Sequence, residues 1–203
     1  MASGESRLTA RPATSSDLTA VTETISLAFH DDPTWSWALP DPVRRQEQYA
    51  VLWRFMIAGA LRYPWVLMTE ACEAVAVWIP PGGTEIAEED EARVGPLTQE
   101  LVGDRAGELM ELFGLFEAAH PRRTPHYYLS LLGTHPSHAG QGIGMALLAE
   151  NLARIDREQM PAYLESSNPR NNHRYQRYGF EAIGEFTPPG SDTPVTTMWR
   201  DPH

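Results

Sequence analysis

Five residues, Gly140-Gln141-Gly142-Ile143-Gly144, have the types and spacing of an anion cradle. Glycines let a ligand approach the main chain closely, and the free N–H groups at the start of a helix turn a positive dipole end toward an anion, typically a pyrophosphate. Two rival phosphate motifs fail on single residues. A P-loop needs Gly-Lys-Ser/Thr at its end, and Gly144 is followed by Met145. A dinucleotide fingerprint needs Gly or Ala three residues after Gly144, where Leu147 stands. A tight corner between strand and helix is the plain alternative for three glycines. A second group lies downstream, where Glu165 closes a short apolar run and Tyr175 sits in a polar segment. A carboxylate and a phenol there offer a proton acceptor and a weak proton donor.

Elements must hold these groups in place. His126–Thr134 (HYYLSLLGT) is apolar with little alternation and predicts a strand covered on both faces. The helix after the glycines turns Met145, Leu148, Leu152 and Ile155 inward and runs to Gln159. Ala162–Ser166 predicts a strand, Asn168–Tyr178 a helix stopped by Gly179, and Phe180–Phe186 and Thr193–Arg200 two further strands. Upstream, Arg7–Ala10 reads as a strand, and Thr14–Asp17 has capping-box spacing before a helix with Leu18, Val21, Ile25 and Ala28 on one face. Pro33 ends that helix, and Trp35, Trp37 and Leu39 follow in an aromatic loop. A helix from Asp41–Pro42 carries Tyr49, Trp53, Met56, Ile57 and Ala60 on one face, and Trp65–Thr69 with Ala74–Ile79 forms a hairpin. The acidic run Glu85, Glu88, Glu89, Asp90, Glu91 reads as a solvated helical face, and a helix to His120 buries Leu109, Leu112, Phe113 and Phe116. The pattern predicts an α/β mixed sheet in a single domain over 1–203.

Ala139-Gly140-Gln141-Gly142-Ile143-Gly144 resembles the pyrophosphate loop (Gln/Arg)-x-x-Gly-x-(Gly/Ala) of the GNAT superfamily of acyl-CoA-dependent N-acyltransferases. Both required glycines are kept; Ala139 replaces the preferred Gln or Arg, which removes a side-chain contact and leaves the backbone amides. Asn168 and Tyr175, seven apart and followed by Gly179-Phe180, resemble a second motif of that superfamily in the right order. Leu27-Ala28-Phe29, Ala74–Trp78, Leu132–Pro136, Tyr163–Ser167 and Pro169-Arg170-Asn171 are most similar to puromycin N-acetyltransferase-like proteins.

The resemblance implies a GNAT-like fold, a mostly antiparallel mixed sheet with helices on both faces, and acetyl-CoA as cosubstrate without a metal. It places the thioester oxygen on main-chain N–H groups at Leu132, Gly133 and Thr134, and the coenzyme on Gly140, Gln141, Gly142, Ile143 and Gly144 with Asn168 and Asn171. Tyr175 takes the general-acid position. Glu165 is the candidate base, with a salt-bridged structural carboxylate as the alternative. Phe29, His30, Asp31, Trp35 and Trp37, with Asp32, follow the first helix where the family builds part of its acceptor pocket; carboxylates beside aromatic faces suit an ammonium. Packing as core plugs is the alternative for the aromatics. The implied reaction is direct acetyl transfer to a primary amine of a small molecule. A non-catalytic acyl-CoA-binding regulator and a peptide or protein N-acetyltransferase are the rivals.

Composition narrows the partners. Sixteen Lys+Arg against 27 Asp+Glu give a net charge of −11 over 203 residues, which argues against nucleic acid and anionic membrane surfaces. No stretch of 18 apolar residues and no leader pattern stands in the sequence, and the single Cys72 cannot form an intrachain disulfide. A cytoplasmic monomer or homodimer is expected. His135 and His138 lack a carboxylate or thiol at ligand spacing and read as turn histidines.

Overall fold

The computed structural model describes residues 10–203. In chain order the elements are β1 (Ala10–Pro12), α1 (Leu18–Ala28), α2 (Pro33–Ala38), α3 (Arg45–Ala60), β2 (Val66–Thr69), β3 (Ala74–Ile79), α4 (Val94–Val102), α5 (Ala106–Ala119), β4 (Tyr127–Thr134), α6 (Ile143–Arg157), β5 (Ala162–Ser166), α7 (Asn172–Gln176), β6 (Glu181–Phe186) and β7 (Val195–Arg200). The seven strands form one sheet in the order β1-β2-β3-β4-β5-β7-β6. Only the β4–β5 pair is parallel, so the sheet is mixed and mostly antiparallel, as expected.

Alternate strand residues feed two cores, one on each face. Val75 and Val77 join Ile25, Trp35, Trp53 and Ile57 from the first three helices. Ala76 and Trp78 point the other way, onto Leu147, Leu148, Leu152 and Ile155 of α6. The buried Trp78 indole donates to Asn151 Oδ1 at 2.9 Å, so the polar edge of a core tryptophan is satisfied inside the apolar layer.

Several expectations shift. The first strand begins at Ala10, and residues 7–9 lie outside the described residues. The aromatic loop is a short helix, α2, because Asp32 caps it: the carboxylate accepts from the backbone N–H of Thr34 at 3.1 Å and of Trp35 at 3.2 Å, with Pro33 in the first turn. Helix α1 stops at Ala28, ahead of the end expected at Pro33, and Pro33 starts the next helix instead. Helix α3 starts at Arg45, after a turn opened by Asp41. Helix α6 ends at Arg157, and Asn168–Tyr178 is a 3-10 turn (Pro169–Asn171) followed by α7.

Strand β4 contains the irregularity that makes a site. Trp78 pairs with Leu129 on the α6 face and Val77 with Leu131 on the other, which leaves Ser130 as one extra residue. A bulge of this kind bends the strand and increases its twist. The pairing of β4 with β5 covers Tyr127, Tyr128 and Leu129 against Ala162, Tyr163 and Leu164 and ends at the bulge. Beyond it β4 stays with β3 and β5 stays with β7, so the two parallel strands part.

Candidate active site

The fork between β4 and β5 opens into a cavity of about 450 Å³. One wall is aromatic: Trp35 lies parallel to Phe116 at 5.9 Å and meets Trp53 edge-on at 4.6 Å. Trp35 therefore serves both readings made of it, core plug and cavity wall. At the fork itself the lining is polar, with Tyr128 and Ser130 from β4, Glu165 from β5, His120 from the end of α5, and Glu85 from the segment after β3.

Two carboxylates share this polar end. The Glu165 side chain is 2% exposed, its Oε1 has no hydrogen-bond partner, and His120 Nδ1 stands 3.8 Å away. An unpartnered buried acceptor is destabilising by about 1–3 kcal/mol and marks a place where a ligand or a proton belongs. Glu85 accepts from the Ser130 hydroxyl. Burial pushes the Glu85 carboxyl up to about 7 against that hydrogen bond, and the nearby charge of Glu165 adds to the rise. Burial also raises Tyr128 well above the ordinary phenol value, with the charges of Glu165 and Glu85 adding to it, so its hydroxyl stays protonated.

Tyr175 and Asp32 lie on the side facing α7 and α2. Asp32 Oδ2 accepts from the Ser167 hydroxyl at 2.7 Å, and the Thr34 hydroxyl donates to the Ser167 carbonyl at 2.9 Å. These bonds tie α2 to the segment that leaves β5. Burial pushes Asp32 up to about 6 and Tyr175 up to about 12, the latter helped by the Asp32 charge. The Tyr175 ring packs edge-on against Phe180 at 6.1 Å. Asn168 Oδ1 accepts from the Arg170 N–H at 3.1 Å and so shapes the turn that delivers α7.

Tyr175, Glu165, Leu132, Asn168, Asn171, Phe29, Asp31 and Trp35 all line the cavity. His30 and Trp37 do not: the His30 carbonyl accepts from Arg45, and the Arg105 guanidinium covers the Trp37 ring at 5.5 Å. The glycines divide by what surrounds them. Gly140 and Gly142, at φ 78° and 77°, have open space where a Cβ would stand, and Gly142 caps the 15-residue helix α6. A Cβ on Gly144 would lie 2.4 Å from the Thr134 hydroxyl, and one on Gly133 2.9 Å from both Ala28 and Ile25. Those two are demanded by packing of α6 and α1 on β4, and the packing sets the start of α6 at the open end of the fork. Gln141 and Ile143 complete the turn. Open, left-handed glycines at a long helix's N-terminus fit a pyrophosphate-bearing cosubstrate.

The model of the acetyltransferase (GNAT) domain family matches residues 86–182. Just under half of the chain is thus similar to a GNAT acetyltransferase domain. Acetyl-CoA is the donor this family uses. A curated acetyltransferase of Agrobacterium fabrum is 41% identical over 73 residues, which cover 35% of this chain and 53% of that protein. The match thus spans about half the length of that relative. A crystal structure from Corynebacterium glutamicum, named for histone acetyltransferase HPA2 and related acetyltransferase, superposes with a TM-score of 0.69 at 25% identity over 97% of each chain. The polyamine N-acetyltransferase of Drosophila melanogaster has the same fold, with a TM-score of 0.64 at 16% identity over 96% of this chain and 99% of its own.

Glu85, His120, Tyr128 and Ser130 escaped the sequence reading. Glu85 precedes the matched GNAT segment by one residue and was absorbed into an acidic run whose other glutamates, Glu88, Glu89 and Glu91, are exposed. Ser130, a hydroxyl inside an otherwise apolar strand, was the available signal.

Proposed function

We propose that this GNAT chain transfers an acetyl group from acetyl-CoA to the primary amine of a small molecule, directly, within a ternary complex. One observation carries the reading: the fork between β4 and β5 brings a buried carboxylate with a bare oxygen, Glu165, and a protonated phenol, Tyr175, into one cavity. The thioester of acetyl-CoA supplies an activated acyl carbon. Main-chain N–H groups of Gly140, Gln141, Gly142, Ile143 and Gly144 hold the pyrophosphate, and the β4 backbone at Leu132, Gly133 and Thr134 stabilises the carbonyl oxygen as it gains charge. Glu165 Oε1 takes the proton that must leave an ammonium before nitrogen can attack. The Tyr175 hydroxyl gives its proton to the departing sulfur. Asn168 and Asn171 position the chain that carries Tyr175.

The aromatic wall of Trp35, Phe29 and Phe116 accommodates an apolar or ring-bearing body, and Glu85, Glu165 and Asp31 attract a cationic head. The sequence likeness to puromycin N-acetyltransferase-like proteins supports a small amine over a peptide. In this reading residues 1–203 act as one domain in the cytoplasm. Among the described residues no helix is long and apolar enough to cross a membrane.

Thiol release from acetyl-CoA, followed across a panel of small amines and basic peptides with mass-spectrometric identification of the product, tests the reading. Acetylated small amines are expected. Acetylated peptides alone would replace the acceptor class, and tight acetyl-CoA binding without any release would make the chain a regulator. Gly142→Val is expected to raise the Kd for acetyl-CoA at least roughly tenfold by filling the cradle and straining φ, a left-handed penalty of about 1–2 kcal/mol. Gly190→Val is the control, because Gly190 has φ 76° and equally open surroundings in the β6–β7 connection. Unchanged affinity in Gly142→Val by calorimetry would remove the loop from the coenzyme site.

A further inference from the structure

One helical turn carries positive charge that has no partner among the described residues. Arg170, His173, Arg174 and Arg177 stand at i, i+3, i+4 and i+7 along the 3-10 turn Pro169–Asn171 and α7, so they share one face, and all four are exposed. Like charges at this spacing repel, and no Asp or Glu lies between Ser166 and Phe180 to offset them. Arginines elsewhere are given a carboxylate one turn away: Arg93 meets Asp90 at 2.7 Å, Arg105 meets Glu108 at 2.6 Å and Arg154 meets Glu150 at 2.5 Å. The other polar groups of the segment hold it in place. Asn168 shapes the turn, Asn172 Nδ2 donates to the Thr196 hydroxyl of β7 at 2.9 Å, and Arg200 donates to the Tyr178 carbonyl at 2.8 Å. The four basic side chains take no part in this, so a firmly held turn presents them outward.

We propose that the arginine face of this turn, Arg170, Arg174 and Arg177 with His173 beside them, binds the 3′-phosphate of the coenzyme's ribose. The proposal rests on the coenzyme lying on the Gly140–Gly144 cradle. Topology sets the turn beside that cradle: β4 and β5 are parallel neighbours, the cradle follows the end of β4, and the turn follows the end of β5. Ile143 and Met145 at the start of α6 pack on the same core as Tyr175 and Tyr178, so α7 and the first turn of α6 lie on one face of the sheet. Asn171 and Tyr175 of the turn also line the cavity. In coenzyme A the 3′-phosphate sits on the same ribose that carries the pyrophosphate. A pyrophosphate held on the cradle therefore brings a second anion one sugar away.

The chemistry matches. A phosphomonoester carries a charge of about −2 and three acceptor oxygens, and a guanidinium offers two parallel N–H donors to such a group. A chain of net charge −11 repels an anionic ligand at range, and a local group of unpaired cations within a screening length reverses that where the ligand docks. The repulsion among the arginines is relieved when the phosphate arrives, which explains a face left without carboxylates.

Calorimetry with coenzyme A and with 3′-dephospho-coenzyme A, which lacks only that phosphate, tests the site without any acceptor amine. The parent should bind coenzyme A on the order of tenfold more tightly than the dephospho form, the gain from a few exposed arginine–phosphate contacts. The triple variant Arg170→Gln, Arg174→Gln, Arg177→Gln should bring the two affinities together, mainly by weakening coenzyme A. Arg123→Gln, which removes an exposed charge ahead of β4, at the strand's opposite end, should keep the parent's ratio. Binding is the readout because the Arg174 charge also acts on the Tyr175 phenol, so turnover would mix the two effects. Salt gives a measure that needs no variant: the ratio in the parent should shrink as ionic strength rises, since the face is exposed. Equal affinities in the parent, a ratio indifferent to salt, or a ratio that the triple variant retains would each overturn the phosphate site and leave the cradle standing. Binding of neither form would overturn the coenzyme reading and this site with it.

Discussion

Tyr175→Phe is expected to lower kcat by roughly 10²–10⁴-fold, the range for loss of a positioned general acid, while the Kd for acetyl-CoA stays the same. The substitution removes one oxygen and keeps the ring that packs on Phe180 at 6.1 Å, so the wall of the cavity is conserved. The effect is confined to the chemical step because the hydroxyl has nothing to offer until sulfur begins to leave. Burial and the Asp32 charge hold the phenol protonated to about 12, so the parent should show no basic limb from Tyr175 at ordinary pH. Steady-state kinetics beside calorimetric binding of acetyl-CoA separates the two quantities. Full kcat in Tyr175→Phe would mean that sulfur departs as a free thiolate and that the tyrosine is a wall residue only.

The frame of the fold was readable because its signals are local. Capping at Thr14–Asp17, the β2–β3 hairpin, the glycine turn and the apolar stripe of α6 each depend on residues within one turn or one hairpin of each other. The β4 bulge was not readable, since whether Ser130 pairs or is skipped depends on how Val77 and Trp78 of β3 align with it from about 50 residues away. Helix α2 is not legible in the sequence because Asp32-Pro33 reads as a stop there, while in the fold the same pair caps a new helix. The consequence reached the site. In a loop Trp35 and Trp37 can face the same way, whereas on a helix two residues are separated by roughly 200°. Trp35 accordingly enters the cavity wall and Trp37 turns to Arg105.

Within the site the same division holds. Glu165 and Tyr175 sit inside recognisable motifs, and both line the cavity. Glu85 reaches Ser130 across 45 positions, and His120 is equally far in sequence from Glu165, so their meeting is a product of the sheet order. Net charge gave no help: it weighed Glu85 equally with its solvated neighbours, although its environment differs from theirs in every physical respect that matters for a proton.

That environment makes Glu85→Gln the other large effect. The folded protein holds the Glu85 proton up to about 7 against an ordinary value of 4.5, so the folded state binds protons more tightly than the unfolded one. Below 4.5 the group is neutral in both states and costs nothing. Between 4.5 and about 7 the unfolded chain ionises first, stability falls with rising pH, and above about 7 the loss is constant at about 3 kcal/mol by the usual 1.36 kcal/mol per unit. Asp32, pushed up to about 6, loses stability in the same direction but in parent and variant alike. Glutamine keeps an oxygen for the Ser130 hydroxyl and cannot ionise. Urea unfolding of both proteins should therefore give a stability difference that grows in favour of Glu85→Gln from pH 4.5 to 7 and then levels; parallel curves would show that Glu85 ionises at its ordinary value. The functional counterpart has the opposite sign. As Glu85 ionises, the cavity gains a further negative charge beside Glu165 and Asp31, so the parent's KM for a cationic amine should fall as pH rises through about 7, and Glu85→Gln should lose that fall. Both signs found together would mean that the carboxylate weakens the fold in exchange for the cation it draws in, because a neutral side chain of the same shape would satisfy Ser130 without the penalty.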